Sequence, residues 1–399
     1  MTSAMLRRSY DVVIVGGAAI GSATAYFLAT NPDFAGTVLV VERDFTYARA
    51  ATALSSASIR QQFSNPLNVR ISQFGAAFIR GFASHCTVGD DRPDLAFKEN
   101  GYLFLAGDAQ GRQVLLDNHA VQQENGADTV LLQPEALAEE FPWLASGDLT
   151  LGSFGRSGEG WFDNTGLLHG LRRKARSLGV DYIEDEVTAL RRDGDRIAEI
   201  SLKSGESVRC GVLVNAAGTR GPRIARLAGI DIPVEPRRRS LFVFSCREPL
   251  ASRVPLTIDP SGVFFRPEGQ FYLTGTTPRN DTAVDVEDFE VMHQEFEDDI
   301  WPTLAARVPA FEAIKVVNAW AGHYDYNTLD QNAIVGPHRQ VTNFILANGF
   351  SGHGLQQSPA IGRGIAELIT HGAYRSLDLS PLGYERVALG RPFLERSVI

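Results

Sequence analysis

Apolar residues are arranged along this chain in two patterns, short unbroken runs and stripes at helical spacing. The first run, Asp11-Val-Val-Ile-Val15, reads as a strand buried on both faces. A turn, Gly16-Gly-Ala-Ala-Ile-Gly21, follows it. Next comes a helix whose Ile20, Ala23, Thr24, Phe27 and Leu28 form a narrow face, and then a second apolar run, residues 37–41, closed by Glu42. Gly16 permits the tight turn, the small Ala18 lets amides approach a pyrophosphate, and Gly21 lets helix pack closely on strand. Glu42 lies 21 residues after Gly21, where an acid that takes ribose hydroxyls belongs. Ala18 replaces the usual second glycine, so the order strand, turn, helix, strand, acid carries the reading. An adenine dinucleotide is expected there, against the alternative of an ordinary βαβ turn.

Further along, residues 48–63 are small and polar, which suits backbone lying close to a ligand. Residues 68–82 carry a helical stripe of Val69, Ile71, Phe74, Phe78 and Phe82. Residues 97–105 and 129–143 predict an inserted strand and helix. Residues 167–178 predict a basic amphipathic helix, 181–190 a strand, 193–195 a hairpin turn, and 208–214 a strand running into Asn215-Ala-Ala-Gly218. Between residues 232 and 326 the pattern changes to strands at 241–244, 262–265, 270–274 and 316–320, with a long acidic helix over 286–306. The last apolar strand, 343–347, leads through Gly349-Phe-Ser-Gly-His-Gly354 into a helix with Ile361, Ile365, Leu368 and Ile369 on one face. Gly352, His353 and Gly354 offer amides and a helix N-terminus to a ligand that becomes electron-rich, as a reduced flavin does. The expected fold class is α/β, α+β overall: a Rossmann-like unit from 1–90, 150–230 and 327–399, and a mainly antiparallel substrate unit from 91–149 and 231–326.

Composition adds exclusions. The chain has 399 residues, 44% of them hydrophobic, enough for two sizeable cores. A net charge of -9 argues against a nucleic-acid partner, and Arg237-Arg-Arg239 reads as an ordinary solvated run. No apolar stretch reaches the ~18 residues of a membrane span. Residues 1–9 lead directly into the first strand without a secretory hydrophobic region, so a cytoplasmic location is the default. Cys86, Cys210 and Cys246 lack metal or disulfide spacing, and the 8 histidines form no metal motif. No metal is expected, and the chemistry falls to an organic cofactor.

Residues 13–21, Val212-Leu-Val-Asn-Ala-Ala-Gly218 and 349–359 resemble the D-amino acid oxidase superfamily of FAD enzymes, which includes sarcosine oxidase, glycine oxidase and dimethylglycine dehydrogenase. Ser58-Ile-Arg-Gln-Gln-Phe-Ser64 and Trp320-Ala-Gly-His-Tyr-Asp-Tyr-Asn-Thr-Leu-Asp-Gln-Asn332 are similar to the FAD-dependent oxidoreductase domain-containing branch. The resemblance implies FAD with its pyrophosphate over Gly16, Ala18, Ala19 and Ile20, and its ribose on Glu42 beside Arg43. It implies Thr52, Ser55, Ser56 and Gly322 along the ribityl and ring, Val187 near the adenine, and Ala216, Ala217 and Gly218 closing over it. Gly352, His353, Gly354, Leu355 and Gln356 would meet the isoalloxazine. NADPH at Arg43 is disfavoured, because Glu42 would repel a 2′-phosphate.

Departures from the family sharpen the expectation. Sarcosine oxidases bind flavin through a cysteine in the segment matching 320–330. His323 is the nearest equivalent here, so a noncovalent flavin is expected, with a histidyl link as the alternative. Oxygen-activating relatives carry lysine where this chain has Leu273, which weakens an oxidase assignment unless Arg60 or His353 supplies charge. The lysine and arginine that hold a substrate carboxylate are replaced by Gln356 and Phe63. Arg266, on the strand face of Phe264, is the candidate to take over, against a surface arginine on an edge strand. Tyr272, Tyr324 and Tyr326 are pocket candidates.

The implied reaction is oxidation of the C–N bond of a small secondary or N-substituted amino acid (sarcosine, dimethylglycine or iminodicarboxylate type) by hydride transfer to flavin N5. Arg60 would lie near N5, with His353, His323 and Arg266 at the site and oxygen or a carrier as acceptor. Two alternatives stand beside it: a D-amino acid or hydroxy acid dehydrogenase feeding a quinone or carrier protein, and an FAD-containing assembly or binding protein.

Overall fold

The structure is a computed structural model that describes residues 6–396. Residues 1–5 and 397–399, which the expected first unit included, lie outside the described residues. Two mixed sheets organise the chain. In the first, the strands Phe344–Asn348, Ser207–Asn215, Ser9–Val15, Val38–Glu42 and Asp181–Glu184 lie side by side and parallel. Ile334–Pro337 pairs antiparallel at one edge, and the hairpin Val187–Asp193 and Arg196–Leu202 extends Ser207–Asn215. One face carries the helices Ala19–Thr30, Asn164–Ser177 and Gly354–His371 around Ile14, Val40 and Ile361. The opposite face packs Val13, Leu39 and Leu213 under Ile224 and the hairpin. Cover on both faces is why these strands read as unbroken apolar runs.

The second sheet runs in the order Ile314–Asn327, Val234–Cys246, Phe271–Gly275, Phe264–Glu268, Leu256–Ile258, Tyr102–Ala106, Leu151–Gly155, Thr129–Leu132. All its neighbours are antiparallel except Leu256–Ile258 against Tyr102–Ala106. Its Phe242, Phe244, Phe265 and Tyr272 pack under the helical segment from 293 to 307, leaving the other face toward the first sheet. Leu151–Gly155 belongs here, although the sequence boundary at 150 assigned it to the first unit.

Several expected elements differ. The helix Ala109–Glu124 went unrecognised because its surface is almost wholly polar, with only Leu115, Asn118 and Gln122 buried. Residues 129–143 divide into a strand and the helix Pro134–Glu140. The run 181–190 breaks after Glu184 and serves two neighbours, Val38–Glu42 and the hairpin. The acidic helix begins only at His293, not at 286. Before it, Asp285 accepts the Glu287 amide at 2.8 Å and Asp288 the Glu290 amide at 3.1 Å, local bonds that compete with helix formation. No helix among the described residues is long and apolar enough to cross a membrane.

The C-terminal segment ties back beneath the site. Buried Asp330 accepts from Arg386 Nε at 2.6 Å and Nη2 at 3.1 Å. Glu395, 1% exposed, accepts from the Ser64 amide at 2.9 Å and from the side chains of Asn65 and Asn68 at 2.8 and 3.0 Å. Asp330→Ala leaves the Arg386 guanidinium buried without its carboxylate and is expected to cost about 3–5 kcal/mol, read as a lower midpoint in urea unfolding.

Candidate functional site

Between the sheets lies a long cavity, continuous with solvent and lined from both. One end forms where Ser9–Val15 turns into Ala19–Thr30. Gly16 has φ +98°, and a Cβ there would run into the Ala216 carbonyl, so the backbone crossing demands glycine. The helix starts at Ala19 with no cap from the Ala18 side chain and no acid in its first turn, which leaves its dipole and the leading amides after Ala19 for an anion. Thr52 Oγ1 accepts the Ala19 amide at 3.2 Å. Glu42 accepts the Gly17 amide at 2.7 Å and the Asp44 amide at 3.0 Å, and burial pushes its carboxyl up. Tyr47 presents a buried hydroxyl with no hydrogen-bond partner among the described residues, an atom that asks for a ligand.

The other end forms at Gly354–His371, another helix start without side-chain cap or first-turn acid. Gly352 has φ +90°, and a Cβ there would meet the Tyr324 ring at 2.5 Å. Arg60, 2% exposed, donates to the Gln62 carbonyl, lies 3.0 Å from His353 Nε2 and stands 4.0 Å over the Phe63 ring. Its amide donates to Gln356 Oε1 at 2.9 Å. Gln356 and Phe63, expected in place of a carboxylate clamp, here hold Arg60. Burial, and then the Arg60 charge, push His353 well below the usual histidine range, so its neutral ring accepts from the guanidinium.

The residues expected to hold FAD (Gly16, Ala18, Ala19, Ile20, Glu42, Arg43, Thr52, Ser55, Ser56, Val187, Ala216, Ala217, Gly218, Gly322, Gly352, His353, Gly354, Leu355 and Gln356) all line this cavity, as do Arg60, His323 and Tyr324. His323 lies with Nε2 2.6 Å from the Asp288 carbonyl and stacks on Phe289 at 4.3 Å. Arg266 does not reach the cavity. Its strand is interior to the sheet, not an edge, and its guanidinium donates to the Ser56 carbonyl at 2.7 Å and to Glu268 at 2.5 Å. Tyr272 lies on the far face, accepting the Leu250 amide at 2.9 Å, and Tyr326 packs on Arg237. The 237–239 run is not solvated surface: Arg239 is 6% exposed, lines the cavity and forms a two-pronged pair with Asp281 at 2.7 and 2.9 Å.

Sequence reading missed Arg239, Tyr102 and Glu159. Three adjacent arginines within a strand-forming stretch were the available signal for the first; nothing local marks the other two. Glu159, 1% exposed, accepts the Gln61 amide at 2.6 Å and Gln62 Nε2 at 2.9 Å, and so holds the segment that carries Arg60. Burial raises its carboxyl from 4.5 to about 7.

The folded state therefore holds this proton more tightly than the unfolded chain. The resulting stability is fully present below pH 4.5 and is lost as pH rises through about 7. The melting temperature of the protein minus that of Glu159→Gln is expected to fall between pH 4.5 and 7 and to level off above. Gly352→Ala is expected to lower FAD occupancy on the order of tenfold, read from the ratio of flavin to protein absorbance, because the methyl clashes and the backbone is strained.

Residues 11–368 match the family described as FAD dependent oxidoreductase (DAO). The chain is 43% identical to FAD-dependent oxidoreductase domain-containing protein 1 of Xenopus laevis, over 98% of this chain and 85% of that protein. It is 26% identical to sarcosine oxidase subunit beta of Rhizobium meliloti, over 91% and 85%. Among solved structures, L-proline dehydrogenase from P. horikoshii superposes with a TM-score of 0.86 at 25% identity, covering 97% of this chain and 100% of that one. With two uncapped helix starts opening on one long cavity and a family match spanning nearly the whole chain, the protein belongs to the FAD dependent oxidoreductase family, and FAD is the cofactor its cavity is built to hold.

Proposed function

We propose that this chain oxidises the C–N bond of a secondary or N-substituted amino acid, with FAD held noncovalently. The observation that carries the reading is the meeting of Arg60, His353 and the Gly354–His371 helix start under the open face of the second sheet. Bound FAD supplies the acceptor for the electron pair that leaves the substrate. The Ala19 and Gly354 helix starts would hold the phosphate and ring ends of the cofactor, and Glu42 would take the ribose.

At the ring end, Arg60 places a positive charge in a dry site, where it stabilises developing negative charge more than it would in water. His353 accepts from Arg60 and stays neutral, so it holds the guanidinium in place and does not take a substrate proton. With no base assigned, the amine enters with its nitrogen already neutral. No cysteine lines the cavity among the described residues, and His323 faces the Asp288 carbonyl; both support a noncovalent flavin. Sarcosine and L-proline, for which a relative and a structural neighbour are named, are both secondary amines, which supports this class.

Mixing the FAD-loaded protein anaerobically with a panel of secondary amino acids is expected to bleach the flavin. Air admitted afterwards restores the colour within turnover time if oxygen is the acceptor, and slowly if a carrier is. A panel of amines and hydroxy acids that leaves the flavin yellow would overturn the proposal in favour of an FAD-containing binding or assembly protein. Arg60→Met is expected to keep its flavin and slow the bleaching on the order of 10²-fold.

A further inference from the structure

The cavity-facing side of the second sheet carries an apolar patch that crosses six strands. Cross-strand partners share a face, and the register places Leu241 beside Trp320 and Gly275, Gly275 beside Phe264, and Phe264 beside Ile258, which neighbours Phe104. Leu241, Phe264, Ile258 and, two residues before it, Leu256 line the cavity. A Cβ on Gly275 would lie 2.8 Å from Leu241 Cδ2 and 3.1 Å from Phe264 Cε1, so these side chains meet over the glycine and close the roof.

Two cations share this face, and protein groups engage both at every nitrogen except Arg239 Nε, which has no partner among the described residues. Arg239, two residues before Leu241, is paired twice with Asp281. Arg266, two after Phe264, donates to the Ser56 carbonyl and to Glu268. A substrate carboxylate placed under the roof would therefore lose water and meet aliphatic and aromatic carbon in return. An alkyl or aryl group placed there would gain by leaving water.

Building on the proposed amine oxidation, we infer that the substrate carries an aliphatic or aromatic group of several carbons that lies against Leu241, Phe264 and Ile258. N-alkyl amino acids with apolar side chains and cyclic imino acids are the preferred class, ahead of sarcosine and ahead of iminodicarboxylates. A second carboxylate is selected against by the same wall that selects for the alkyl group.

The test reads binding and turnover separately. The FAD-loaded protein is titrated with acetate, propanoate, butanoate, pentanoate and succinate, and the shift of the flavin spectrum reports each Kd. The Kd is expected to fall roughly threefold to fourfold per added methylene, and succinate to bind at least about tenfold more weakly than pentanoate. Phe264→Asn is expected to flatten the series, and Ile258→Thr does the same by a smaller change; flavin content shows that each has folded. In anaerobic reduction, N-methylleucine and N-methylphenylalanine are expected to exceed sarcosine at least about tenfold in rate over Kd.

A flat series, a preference for succinate, or no spectral shift with any of the acids overturns the inference. Faster reduction by sarcosine or iminodiacetate also overturns it while leaving the proposed reaction standing. A series that tightens with chain length in a protein that no amine reduces keeps the apolar site and removes the reaction.

Discussion

Two helices begin at the same edge of one sheet, and that constraint shapes the site. Ser9–Val15 and Phe344–Asn348 both run parallel to the strand between them, so both end on the same side. The helices that follow, Ala19–Thr30 and Gly354–His371, therefore open onto one crevice from opposite ends of the polypeptide. Their leading amides have no partner within the helix, and neither Ala18 nor His353 caps its helix with a side chain. A long cofactor with anionic phosphates and a ring that gains negative charge satisfies both at once. Separate placement of either helix would leave half of that molecule unsupported.

The second organising feature is a buried cation. Arg60 loses water almost completely, and its surroundings answer with a carbonyl, a neutral imidazole and an aromatic face. The segment that carries it is held by Glu159 on one side and, through Ser64 and Asn65, by Glu395 on the other. In a low-dielectric pocket each of these bonds is stronger than at the surface, and each is costly to leave unmade. Gln356 and Phe63 acquire a structural reason here. Gln356 takes the Arg60 amide and the Phe63 ring lies under its guanidinium, so both support the buried cation.

Local pattern made the first strand, turn, helix and Glu42 legible, because each step there depends on neighbouring residues: period, a positive-φ glycine, and an acid at a set distance. The Gly352–Gly354 turn was legible for the same reason. The helix Ala109–Glu124 was not, since a helix that buries only three residues leaves almost no stripe to read. Residues 286–292 carry helix-compatible composition, yet their acids bond nearby amides and the arginines of other segments. Glu287 pairs with Arg43 at 3.3 Å, with Arg49 at 2.6 Å and with Arg220, and Asp288 pairs with Arg238 at 2.7 Å.

By itself the sequence determined the nucleotide fold, the adenine dinucleotide class of ligand and the two ends of the chain that hold it, because short-range spacing of glycine, small and apolar residues encodes strand–turn–helix geometry. Tertiary structure alone decided which partners each buried cation has. Arg266 and Arg239 look equivalent to Arg60 in composition, but strand order gives one to Ser56 and Glu268 and the other to Asp281, leaving Arg60 beside His353 at the ring end. The Arg60–His353 and Arg266–Ser56 contacts depend on distances of a few ångströms between segments more than two hundred residues apart, and no local pattern carries that information.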